Sequence, residues 1–143
     1  MARSDDMNRA VIGAWERVLV LAPHTDDGEF GAGGTMARLV EAGADVRYVA
    51  FSIATRSLPD GFAPDTLARE VREATAELGI PEANLTVHDF DVRTFPMHRQ
   101  DILELLVELW EEWRPDAVFQ PSRNSDVTRK NDVYVFETCK LCA

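Results

Sequence analysis

Cysteine is scarce in this chain. There are only two, Cys139 and Cys142, close together near the end. That excludes a disulfide framework and fits a reducing, cytoplasmic setting. Their C-x-x-C spacing lacks a second pair or a leading strand, so it reads as two small residues on a terminal helix rather than a metal or redox motif. Histidine is scarce too: His24, His88 and His98 are the whole supply of imidazoles. No apolar run approaches the roughly 20 residues that span a bilayer, so no membrane partner is expected. The opening "MARSDDMNRA" has no apolar core, so it reads as a ragged start or a surface arm and not as a secretory signal. Positive charge is in deficit. Fifteen Lys and Arg face 25 Asp and Glu, for a net charge of -10. Such a surface repels phosphate backbones, so nucleic acid is not an expected partner, but it attracts cations. Repeats and low-complexity segments are absent.

What remains is an ordinary globular chain. Its 143 residues, 45% of them hydrophobic, suit one domain over residues 1–143. "RVLVLAP" (17–23) is a short apolar run ended by proline and reads as a buried strand. A glycine-rich loop follows. "TMARLVEAGA" then reads as a helix with Met36, Leu39 and Val40 on one face and Gly43 at its end. "DVRYVAFSI" (45–53) is a second strand, rich in β-branched and aromatic residues. "DTLAREVREATAELGI" is an amphipathic helix with a stripe of Leu67, Val71, Ala74 and Leu78, ended by Gly79. "NLTVHDFDV" is a third strand, "HRQDILELLVELWEEWRP" a long helix stopped before Pro115, and "DAVFQP" (116–121) a fourth strand. The rest reads as a polar loop and one more helix, "DVYVFETCKLCA". Alternating strands and helices predict an α/β fold, a parallel sheet covered by helices on both faces. Ligands in such sheets bind at the carboxyl ends of strands, beside a reversal of strand order. The loops after the first and fourth strands are therefore expected to meet over one site.

The loop after the first strand carries "HTDDGEFGAGG" (24–34). His24 and Asp27 lie three residues apart in a tight turn, which suits an imidazole nitrogen and a carboxylate oxygen on one zinc ion. Asp26, between them, can act as a general base toward a water that the ion has acidified. Gly31, Gly33 and Gly34 would let the backbone turn sharply and approach a ligand. The competing reading is structural, because acidic residues before a helix commonly serve as caps and dipole partners. The spacing is not G-x-G-x-x-G, so a dinucleotide fold module is unsupported.

"VLVLAPHTDDGEFGAGGTMARL" resembles the N-terminal signature of the PIG-L/LmbE-like N-deacetylases, A-H-P-D-D-E-x-x-G-x-G-G-T. "REVREATAELGI" is similar to the family's helix ending in Leu-Gly, and "RPDAVFQPS" to its strand before a second metal loop. The resemblance implies a three-layer, Rossmann-like sheet and a bound zinc or another divalent metal. It implies hydrolysis of an N-acetyl group on a small molecule, an amino sugar or sugar conjugate. By position it makes His24 and Asp27 metal ligands and Asp26 the catalytic base. Thr25 stands where proline is usual, and Gly28 where glutamate is frequent, with Glu29 next to it.

The second half departs from the pattern. The family's D-x-H-x-D-H supplies a third metal ligand from its last histidine, and from its first a group that stabilises the intermediate or protonates the leaving amine. Here Asp126 fits the leading position, but Thr128, Lys130 and Asn131 replace the rest. Two ligands hold zinc more weakly than the usual three. His88 or His98 could take the third position, though each also reads as an ordinary surface or backbone-bonded histidine. The chain stops about one helix after this motif, so an incomplete version of the family's sheet is expected, with exposed apolar surface that would favour a homo-oligomer. Arg56, Arg93, Arg99 and Arg123 lie in or near loops where they could orient a substrate. Trp110 and Trp113 read as core or interface residues. Two functions stand at this point: a metal-dependent N-deacetylase, or a binding protein on the same fold without a competent metal centre.

Overall fold

The computed structural model describes residues 14–120 and the strands Val127–Lys130 and Val133–Phe136. Strand β1 (Arg17–Ala22) is buried along almost its whole length. A strand alternates its side chains between two faces, and β1 makes both apolar. Val18, Val20 and Ala22 join one core cluster, and Leu19 and Leu21 join another. Both faces therefore need cover, which helices supply.

On the first face lie α1 (Asp27–Glu41), through Met36 and Leu39, and α2 (Thr66–Glu77), through Val71. On the second lies α3 (Arg99–Trp113), through Ile102 and Trp113, with Phe95 from a short 3-10 turn before it. The result is the three-layer arrangement expected from the sequence. Arg47, on the strand β2 (Asp45–Ala50), places its guanidinium 4.6 Å from the Trp113 ring centre. Trp113 is core, whereas Trp110 is exposed together with Leu103 and Val107. No described helix is long and apolar enough to cross a membrane.

With β3 (Leu85–Val87), β4 (Ala117–Phe119), β5 (Val127–Lys130) and β6 (Val133–Phe136), the sheet runs β3-β2-β1-β4-β6-β5. β1 pairs in parallel with β2 from Arg17↔Asp45 to Ala22↔Ala50, and with β4 from Val18↔Ala117 to Val20↔Phe119. β3 and β6 extend the parallel sheet on either side, and β5 is antiparallel to β6. Strand order reverses at β1: the chain first builds outward through β2 and β3, then returns to place β4 on the other side. This is the switch point at which α/β sheets bind ligands.

Four expectations need correction. Val127–Lys130 is a strand where a polar loop was expected, and the segment from Val133 is a strand where a helix was expected; Val-Tyr-Val-Phe favours extended backbone, and pairing with β4 and β5 secures it. Helix α1 opens at Asp27, so Gly31, Gly33 and Gly34 lie within it rather than in a turn, and only Ala32 leaves helical angles (φ -144°, ψ 15°). In α2 the expected stripe of Leu67, Val71, Ala74 and Leu78 holds in part: Val71 is buried and the other three are half-buried, while Thr66, Ala68 and Thr75 complete the buried face. Thr75 is tolerated there because its hydroxyl donates to the Val71 carbonyl at 2.7 Å. The helix ends were legible. Gly43 (φ 90°) and Gly79 (φ 78°) close α1 and α2, with Ala44 N–H donating to Leu39 and Ile80 N–H to Thr75.

Leu39 is fully buried and Leu103 is half exposed. Truncating Leu39 to alanine should cost about 2–5 kcal/mol in urea unfolding. Leu103→Ala should change stability by no more than about 0.5 kcal/mol.

Candidate metal centre

Strand β1 ends at Ala22, and α1 begins five residues later. The intervening turn lies at the carboxyl edge of the sheet. Its backbone is tied to side chains on both sides. The His24 N–H donates to Asp27 Oδ2 at 3.0 Å, and His24 Nδ1 lies 3.1 Å from the same oxygen. Among the described residues, His24, Asp26 and Asp27 form the one group able to offer a cation three ligand atoms within 4.8 Å of one another. The 3.1 Å separation of nitrogen and oxygen is close to the roughly 3.3 Å edge of a tetrahedron with zinc bonds of about 2.0–2.1 Å. His24 and Asp27 thus fit two positions of a zinc site. Without an ion, the same contact is a close histidine–carboxylate pair.

Asp26 occupies the N-cap of α1, yet its side chain makes no capping hydrogen bond. The purely structural reading of this acidic residue is therefore not realised. Its residue is exposed at the mouth of the turn. Behind it, Glu29 is held above the usual carboxylate range, first by burial and then by the charges of Asp26 and Glu70. Its Oε2 is buried without a hydrogen-bond partner. Negative charge is thus concentrated at the start of α1, where a divalent cation would be favoured.

The residue that sequence reasoning missed is Tyr48. It lies on β2, is fully buried, and sends its hydroxyl under the turn. That hydroxyl donates to the Thr25 carbonyl at 2.8 Å and accepts the Gly28 N–H at 3.1 Å. Burial pushes its phenol above the ordinary tyrosine value. A Cβ at Gly28 would lie 2.6 Å from the Tyr48 ring, closer than real contacts allow. Glycine in place of the family's glutamate is thereby explained. Only a buried aromatic on the second strand hinted at it, and nothing in the sequence paired it with the turn.

The other histidines do not join the group. His88 follows β3, stacked on Phe51 with ring centres 5.8 Å apart, and Phe90 separates it from His98. His98 pairs with Asp101 at 3.6 Å. On the same sheet edge, after β2 and β3, a cavity of about 280 Å³ is lined by Ser52, Thr55, Arg56, Asp89, Phe90 and Asp91 among others. Arg56 is braced there by Asp91 at 2.9 Å. Arg93 and Arg99 are exposed. Thr128 and Lys130 belong to strand β5. Arg123, Asp126, Asn131, Cys139 and Cys142 lie outside the described residues.

A turn at the switch point of an α/β sheet, bringing His24, Asp26 and Asp27 together, is where such a fold places a ligand site. Residues 19–133 match the PIG-L family, GlcNAc-PI de-N-acetylase, and the chain belongs to that family. Its fold is similar to that of N,N'-diacetylchitobiose deacetylase from Pyrococcus horikoshii, with TM-score 0.65 and 22% identity over 85% of this chain and 51% of that one. A conserved protein from Thermus thermophilus has TM-score 0.60 and 31% identity over 76% of this chain and 47% of that one. GalB, the 4-carboxy-2-hydroxymuconate hydratase from Pseudomonas putida, has TM-score 0.56 and 25% identity over 75% and 47%. The chain thus spans about half the length of these solved structures. A comparison with curated proteins gave no match.

Two substitutions should move stability in opposite directions. Gly28→Ala forces a carbon into the Tyr48 ring and should cost about 1–3 kcal/mol. Gly31→Ala, in open space on a helix, should be neutral or add about 0.5–1 kcal/mol, both read by thermal unfolding. His88 gives a pH test. Burial lowers its pKa, so the unfolded chain, titrating near 6.5, takes the proton first. Its contribution is complete above that value and is lost as pH falls below it toward the folded pKa. Unfolding curves should therefore show a smaller acid-side loss in His88→Asn than in the unaltered chain.

Proposed function

We propose that this chain is a metal-dependent N-deacetylase acting on a small N-acetylated amino sugar or sugar conjugate. The observation that carries the reading is the 3.1 Å approach of His24 Nδ1 and Asp27 Oδ2 beside an Asp26 carboxylate that caps nothing. Membership of the PIG-L family supports the reaction class. So do the names of two structural relatives: the chitobiose deacetylase and a deacetylase of teicoplanin biosynthesis, the latter 16% identical with TM-score 0.58 over 72% of this chain and 54% of that one.

His24 and Asp27 would hold zinc or another divalent cation. Bound there, the cation acidifies water and polarises a carbonyl oxygen. Asp26 takes a proton from the attacking water, whose oxygen bonds to the amide carbon. The carbon–nitrogen bond then breaks, Asp26 returns the proton to nitrogen, and acetate and a free amine leave. Substrate hydroxyls find partners in the neighbouring cavity, where Arg56 is pre-positioned by Asp91. The second reading, a binding protein on this fold, is favoured by Asn131 in the place of a ligand histidine.

Calorimetric titration of metal-stripped protein with zinc, followed by assays on N-acetylated amino sugars, separates the two. The expected result is one-to-one binding that His24→Ala abolishes. Asp26→Asn should keep the metal and lower kcat by about 10²–10⁴-fold. Arg56→Ala should raise KM with little change in kcat. Zinc binding without hydrolysis would favour the binding protein, and no zinc binding would remove the metal centre altogether.

A further inference from the structure

The N–H groups of the first turn of a helix need partners from outside it, and an Asp at the N-cap ordinarily supplies one by bonding the N–H two or three residues on. Here that donor is Gly28, two residues after Asp26, and its N–H goes to the Tyr48 hydroxyl instead. The same hydroxyl donates to the Thr25 carbonyl. One side chain from β2 therefore grips the backbone immediately before Asp26 and immediately after Asp27. Tyr48 is 0% exposed and packs among β1, α1 and α2, so the ring is fixed, and Gly28 has no side chain to keep it out.

We propose that Tyr48 is a positioning residue of the metal centre: it acts as the cap of α1 in place of Asp26 and so leaves the Asp26 carboxylate for chemistry. An aspartate that caps its own helix has an oxygen engaged with backbone and its rotamer set by that bond. Relieved of capping, Asp26 keeps its oxygens for a proton at the exposed mouth of the turn. The catalytic meaning of this arrangement rests on the deacetylase reading. The exchange of capping roles does not, and it is tested on metal-free protein.

The test combines stability with amide hydrogen exchange. In the unaltered chain, Asp26→Ala should change the folding equilibrium constant less than twofold and leave the Gly28 amide protected. In Tyr48→Phe, which keeps the ring and loses only the hydroxyl, the Gly28 amide should exchange at least tenfold faster while β1 amides are unchanged. Asp26 should then move onto the vacated N–H, so Asp26→Ala should cost at least fivefold more in that background. Equal cost of Asp26→Ala in both backgrounds, or unchanged Gly28 exchange in Tyr48→Phe, overturns the proposal. Should Tyr48→Phe fail to fold, Asp26→Ala alone decides: loss of Gly28 protection would mean that Asp26 is the cap. Zinc titration of Tyr48→Phe completes the series. An affinity at least tenfold weaker is expected, and unchanged affinity would refute the positioning role. If the unaltered chain takes no zinc, the deacetylase reading fails, and the exchange and stability results still decide the capping role.

Discussion

Burial of β1 on both faces is the constraint from which the rest of the structure follows. A strand that is apolar on alternate residues needs only one covering layer. A strand with Val18, Val20 and Ala22 on one side and Leu19 and Leu21 on the other needs two. Helices on both sides require crossovers, and crossovers make the sheet parallel. Parallel strands bring their carboxyl ends to one edge. The strand where the order reverses then opens a crevice at that edge, and in this chain that strand is also β1. The position of His24, Asp26 and Asp27 is thus a consequence of how a short apolar strand is covered.

Within the turn, the physical problem is charge. Asp26, Asp27 and Glu29 crowd the start of α1, and burial, then the charges of Asp26 and Glu70, hold the Glu29 carboxyl above the usual carboxylate range. The N-terminal helix dipole offsets some of this. The loop meets the rest with backbone bonds: the His24 N–H to Asp27, and the Tyr48 hydroxyl to both Thr25 and Gly28. These bonds hold like charges together in a form that a cation would favour further.

Fold and reaction are separate matters here. The similar solved structures include deacetylases and a hydratase, and each of these activities adds water to an unsaturated carbon. What distinguishes one such site from another is the set of groups around the water. In this chain the second motif differs from the family's, with Thr128, Lys130 and Asn131 in place of its two histidines and an aspartate. The first motif keeps His24, Asp26 and Asp27, with Thr25 and Gly28 in place of a proline and a glutamate, and it brings His24 Nδ1 within 3.1 Å of Asp27 Oδ2.

The strand and helix order was legible in the sequence because both depend on local periodicity and on residues such as Gly43 and Gly79, whose positive φ at a helix end needs little context. The acidic turn was legible for the same reason, since His24, Asp26 and Asp27 lie within four consecutive positions. The start of α1 was misread because glycines in open helical space look like turn residues in sequence alone. The buried face of α2 is wider than its apolar stripe because a threonine can be buried once its hydroxyl finds the carbonyl one turn back. The strand from Val133 depended on partners, β4 and β5, that only the sheet provides. Tyr48 lay furthest from view. Its hydroxyl meets Gly28 across 20 residues of sequence, and a hydrogen bond of that span exists only after β2 has paired with β1. The sequence by itself determined which residues could do chemistry; tertiary structure decided which carboxylate caps nothing, because the hydroxyl that takes the Gly28 N–H comes from β2.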